Sequence, residues 1–125
     1  MKLALAFTAA VSAALMALPA QAAAPSADYS TCIYTRDLRN HTVGDDHTLY
    51  FDVAGRGVYR IEMSNNCLAT AVSSDPLVMR SVTGSPQICK PLDIDIQVNH
   101  SRCLIQGMSK LTPAEVAALP RRVKP

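Results

Sequence analysis

Four cysteines, Cys32, Cys67, Cys89 and Cys103, lie in the last hundred or so residues of a 125-residue chain, and none forms a C-x-x-C pair. A domain of that size buries too little apolar surface to be generously stable, and an even cysteine count in an exported chain reads as a disulfide framework. Zinc is the competing use of four thiolates. It needs close ligand pairs that a short turn can present to one ion, and that spacing is missing here. A catalytic thiol needs a neighbouring base, and no cysteine is set apart in that way. Two disulfides are therefore expected. Sequence permits three pairings. Cys67–Cys89 with Cys32–Cys103 is preferred, because the first closes a local loop and the second joins the domain's ends.

Export is written at the N-terminus. Lys2 precedes a near-continuous apolar run, Leu3 to Leu18, and Ala20-Gln21-Ala22 has the small-x-small form of a cleavage site. These are the three parts of a secretory signal peptide covering residues 1–22. Pro19 ends the apolar run early and no basic stop follows, so no membrane span is expected in the mature chain. The expected location is the periplasm or the medium. Overall composition is 49% hydrophobic, but the signal holds much of that, and the remainder is about 43%, an ordinary globular value. A formal charge of only +2 gives no reason to expect a nucleic-acid partner.

The mature chain divides into a disordered lead-in at residues 23–31, one β-rich domain at 32–119 and a basic tail at 120–125. Thr48–Val53 is β-branched and aromatic, and Val58–Met63 alternates with Tyr59, Ile61 and Met63 on one face. The intervening Ala54-Gly55-Arg56-Gly57 makes the pair a β-hairpin. Asp93–Val98 alternates and buries Ile94, Ile96 and Val98. Arg102–Met108 is expected to pair with it across a turn at Asn99-His100-Ser101. Leu38–Val43 and Leu77–Val82 are weaker strand candidates. One helix is marked at Pro113–Leu119. It has Thr112 as N-cap, Pro113 in the first turn, Glu115 completing a capping box and Pro120 as the stop. The fold class is mainly β, a small antiparallel sheet or partly closed barrel with one short C-terminal helix, stapled by disulfides.

Asp45-Asp46-His47 is the densest polar cluster. Two carboxylates and an imidazole are the groups from which a metal site or an acid–base pair is built. Adjacent residues entering a strand point to opposite faces, however, and Asp is a favoured turn residue, so a turn is the first reading. Asp93 and Asp95 share the outer face of their strand, where charges are ordinary. His41, His47 and His100 are widely spaced and read as surface residues. No nucleophile elbow, cofactor motif or metal-ligand spacing occurs, so no catalytic residue, metal or cofactor is assigned. Arg121, Arg122 and Lys124 are too few for a polybasic anchor and read as a solvated tail.

Taken in order, several short stretches resemble a family of small exported bacterial proteins catalogued as a domain of unknown function. They are Cys32-Ile33-Tyr34-Thr35-Arg36-Asp37-Leu38-Arg39, Asp45–Leu49, Gly55-Arg56-Gly57-Val58-Tyr59, Asn66-Cys67-Leu68, Ile88-Cys89, Cys103-Leu104-Ile105 and Leu111–Leu119. The likeness runs over most of residues 32–119. Family members often carry a tryptophan soon after the Arg-Asp-hydrophobic-Arg stretch, where this chain has Asn40 and no tryptophan at all. The resemblance implies a periplasmic, cysteine-containing β domain and brings no activity with it. The function expected is a non-enzymatic binding or structural module of the cell envelope, with an envelope protein or surface component as partner. The alternative is a small hydrolase or metal-dependent enzyme using Asp45, Asp46 and His47.

Overall fold

Period-two alternation makes one face of each strand apolar, and such faces are stable only when pressed against one another. In the computed structural model, which describes residues 32–125, they are arranged in three antiparallel sheets. The signal peptide and lead-in expected at residues 1–22 and 23–31 lie outside the described residues. The strands are β1 Ile33–Tyr34, β2 Leu38–Asp45, β3 Thr48–Val53, β4 Gly57–Met63 and β5 Leu77–Ser81, then β6 Gln87–Ile88, β7 Ile94–Val98, β8 Ser101–Cys103 and β9 Ile105–Lys110. The sheet orders are β2-β3-β4-β9, β5-β7-β8 and β1-β6. The sheets stay separate rather than closing into a barrel, and one helix, α1 Pro113–Ala118, follows them.

The β3–β4 hairpin pairs Leu49 with Ile61 and Phe51 with Tyr59, and all four side chains are buried. With Val53 and Met63 they form the inner face of the four-stranded sheet. Ile94, Ile96 and Val98 of β7 join the same apolar cluster from the three-stranded sheet, together with Ile33 and Ile88 from the small one. The tight turn after β7 is made by Asn99 and His100, both at positive φ, the geometry that matches strand twist in a two-residue hairpin.

Arg102–Met108 is not the single strand expected beside β7. Ser101–Cys103 pairs with β7, and the chain then changes sheets at Leu104 so that Ile105–Lys110 pairs with β4. Asn65 makes the change possible. Its side-chain oxygen accepts from the Leu104 N–H at 2.8 Å and its amide nitrogen donates to Arg102 O at 2.9 Å. The corner's backbone groups are thus satisfied where neither ladder reaches them.

The disulfides are Cys32–Cys89 and Cys67–Cys103, which corrects the preferred pairing of Cys67 with Cys89 and Cys32 with Cys103. The reason is register. Ile33 pairs with Ile88 in an antiparallel ladder, so Cys32 and Cys89 are the next facing pair, with Cα atoms 4.2 Å apart. Cys67 lies in the loop that follows β4, beside the corner where Cys103 ends β8, with Cα atoms 5.2 Å apart. Loop length favours the local pair, but strand pairing decides. Mapping of peptides digested without reduction should recover these two linkages and no free thiol. By loop length each contributes about 4 kcal/mol at most, so reduction should lower the melting temperature sharply.

At the C-terminal end, Thr112 caps α1 and both halves of the capping box form. The Glu115 carboxylate accepts from the Thr112 N–H and, second, from its hydroxyl, which holds its pKa below the ordinary value. That contribution is present above the ordinary Glu range and is lost as pH falls through the lowered pKa. The tail departs from expectation. Arg121, Arg122 and Lys124 are exposed, but Val123 is buried, and its carbonyl accepts from the Thr42 hydroxyl, on β2. A single apolar residue among the charges is enough to dock the segment. Val123→Asp should therefore cost about 2 kcal/mol or more, against ~1 kcal/mol for Thr112→Ala, in urea unfolding of the two variants.

Candidate functional site

Asp45 ends β2 and pairs with Thr48, so Asp46 and His47 are the two connecting residues of a hairpin. All three side chains are exposed. Asp45 Oδ1 accepts from the His47 backbone N–H at 2.8 Å, an Asx turn that closes the hairpin. His47 Nδ1–H donates to Asn65 O at 3.1 Å, so the ring faces the following loop and not the carboxylates. The Asp46 carbonyl accepts from Leu68 N. The triplet is brought together in sequence, and its groups are directed to separate structural tasks.

Just before the turn, Gly44 is the extra residue of a β-bulge between the Val43–Leu49 and Asp45–Thr48 pairs. A Cβ there would stand 2.7 Å from Tyr50 Cε2, so the bulge and the ring position require glycine. Asp46, Leu68, Val72 and Ser73 edge an open groove of about 350 Å³ beside it. Its far wall is fixed by Asp75, whose Oδ2 accepts from Val72 N and Asn99 Nδ2 at 3.0 and 2.8 Å. Those two hydrogen bonds, the backbone one first, lower the Asp75 pKa.

The remaining candidates are also structural. Asp93 accepts from the backbone N–H groups of Cys89 and Lys90, both at 2.9 Å, and so holds the short 3₁₀ turn Pro91–Asp93. Asp95 pairs with Arg102 Nε at 2.8 Å across β7 and β8. His41, expected at the surface, is half-buried on β2 beside Phe51, with ring centroids 6.0 Å apart and its Nε2 buried without a hydrogen-bond partner among the described residues. The same residues contain no group of three His, Cys, Asp or Glu side chains placed to hold a metal.

A different surface gathers side chains that a solvated domain has reason to hide. Leu92 is 80% exposed at the tip of the Pro91–Asp93 turn, Val82 is 60% exposed just after β5, and Leu104 is 54% exposed at the corner between β8 and β9. All three edge one groove of about 250 Å³, floored by Ile94 and Ile105 and bordered by the Asp95–Arg102 pair. Single exposed aliphatics are ordinary, whereas three around one depression form a patch. Each is held there by its element: Leu92 by the Asp93-capped turn, Leu104 by Asn65, and Val82 by its N–H donating to Asp93 O at 2.9 Å. The surface is therefore preformed.

No protein-family model, no curated protein and no solved structure matches the chain. What the fold and its surfaces define is a disulfide-stapled, mainly β domain with an exposed aliphatic face. No helix among the described residues is long and apolar enough to cross a membrane.

The hydrogen-bond assignments order the variants of the polar triplet. Asp45→Ala should destabilise by about 1 kcal/mol through loss of the Asx turn. Asp46→Ala, which leaves its backbone bond in place, should fall within about 0.5 kcal/mol of the parent in thermal melts. The reverse order would mean that the Asp46 carboxylate has a task beyond the turn.

Proposed function

We propose that this chain is an exported, non-enzymatic binding module of the cell envelope that holds a protein partner against the face formed by Val82, Leu92 and Leu104. Export rests on the signal-peptide pattern of residues 1–22 and on four cysteines used as two disulfides, a state that lasts in oxidising compartments. The resemblance to small periplasmic proteins agrees with it.

The observation that carries the binding reading is the convergence of three strongly exposed aliphatic side chains on one preformed groove. Protein interfaces are built around such apolar centres with a polar rim, and the Asp95–Arg102 pair supplies a rim on the same edge. Leu92 is the anchor. It projects from a rigid turn, so little ordering accompanies its burial in a partner.

A photo-reactive residue placed at position 92 should give one discrete cross-linked protein in the producing cell. The same group at Val78, an exposed apolar position on β5, should not. Leu92→Asp should abolish that adduct when the probe is moved to position 104, with the melting temperature unchanged. Equal yields at 78 and 92, or a ladder of unrelated adducts, would sink the proposal.

A further inference from the structure

The molecule carries a further concavity whose chemistry differs from that of the aliphatic face and which shares no residue with it. After β9, the Leu111 N–H donates to Val58 O at 2.9 Å, extending the β4–β9 ladder by one bond before the chain turns into α1. Between that ladder and the helix lies a cleft of about 490 Å³, larger than either groove described above. Val58, Leu111 and Val116 give it an apolar floor. The volume falls within the roughly 300–1,000 Å³ typical of small-molecule sites.

The rim is cationic. Among the described residues, Arg56, Lys110 and Lys124 line the cleft, and no carboxylate does. Arg56 Nη1 donates to Cys32 O at 2.6 Å and Lys124 Nζ to Ala117 O at 3.2 Å. The Ala117 acceptor is a neutral carbonyl, so it orients the Lys124 ammonium without cancelling its charge. Lys110 runs its stem across Gly57, where a Cβ would lie 3.9 Å from Lys110 Cε. Three positive groups from three segments thus border one apolar depression.

We propose that this cleft binds a free long-chain carboxylate, with the alkyl chain over Val58, Leu111 and Val116 and the head group between Lys110 and Lys124. Charge complementarity selects the anion, and the apolar floor selects a chain-bearing anion over a small inorganic one. A bilayer surface would call for a projecting basic patch, whereas here the cations surround a hollow. A nucleic-acid strand would want aromatic stacking groups, and the described residues lining the cleft include none.

The test is a titration of the disulfide-bonded protein with sodium dodecanoate below its micellar concentration. Heat of binding and the methyl signals of Val58, Leu111 and Val116 are followed together. Saturable one-to-one binding that moves those methyls is expected, at least tenfold tighter than dodecyltrimethylammonium. Charge reversal at the exposed pair, Lys110→Glu with Lys124→Glu, should weaken dodecanoate at least tenfold, while Lys110→Arg preserves it. Lys110→Gln supplies a milder intermediate if the double variant melts early. Equal affinity for the two head groups, indifference to charge reversal, or binding to phosphatidylglycerol vesicles but not to dodecanoate would overturn the proposal.

Discussion

The apolar layer shared by β3, β4 and β7 is the constraint on which everything else in the molecule depends. Leu49, Phe51, Ile61 and Tyr59 from one sheet meet Ile94, Ile96 and Val98 from the other, all with almost no solvent contact. Removing one such side chain to alanine typically costs about 2–5 kcal/mol, a large share of a small domain's stability. The layer also determines where the polar chemistry stands. Alternation puts Asp95 and Gln97 on the outside of β7 because Ile94, Ile96 and Val98 are inside, so the Asp95–Arg102 pair borders the aliphatic groove as a direct consequence of core packing.

Local chemistry was legible wherever it acts over a few residues. The β3–β4 hairpin, the buried face of β7, the Asn99–His100 turn and the Thr112–Glu115 capping box all follow from alternation, turn residues and cap spacing. Features that depend on which distant segments meet were not. Ile33–Tyr34 and Gln87–Ile88 are two residues long, too short for any period, and they become strands only by pairing with each other. The sheet change at Leu104 depends on the Asn65 side chain, 39 positions away in the chain. Cysteine pairing depends on register between segments, which loop length does not report. Val123 was hidden by its neighbours: three cations in five residues read as solvent-loving, and the one apolar residue among them docks the segment.

The candidate surfaces divide in the same way. Asp45-Asp46-His47 stands out in the sequence because its residues are adjacent, and adjacency is also why they serve one turn. Val82, Leu92 and Leu104 come from three segments, and each looks like an ordinary core residue when read in place. Only topology separates an aliphatic side chain left outside from one packed within. The cationic cleft is assembled similarly, from a hairpin loop, the end of β9 and the residue before the C-terminal proline.

The two disulfides interleave: Cys67 lies between the members of one pair and Cys89 between the members of the other. A chain that enters an oxidising compartment N-terminus first would present Cys32 and Cys67 to an oxidant before Cys89 and Cys103. The first bond open to such a chain would be a non-native one. Oxidation in order of emergence would give Cys32–Cys67 and then Cys89–Cys103, neither of which is native. Correct pairing needs either a delay until all four thiols are present or thiol–disulfide exchange to undo the first bond. The linkage pattern alone thus makes the order of oxidation, and not only its extent, decisive for reaching the native bonds.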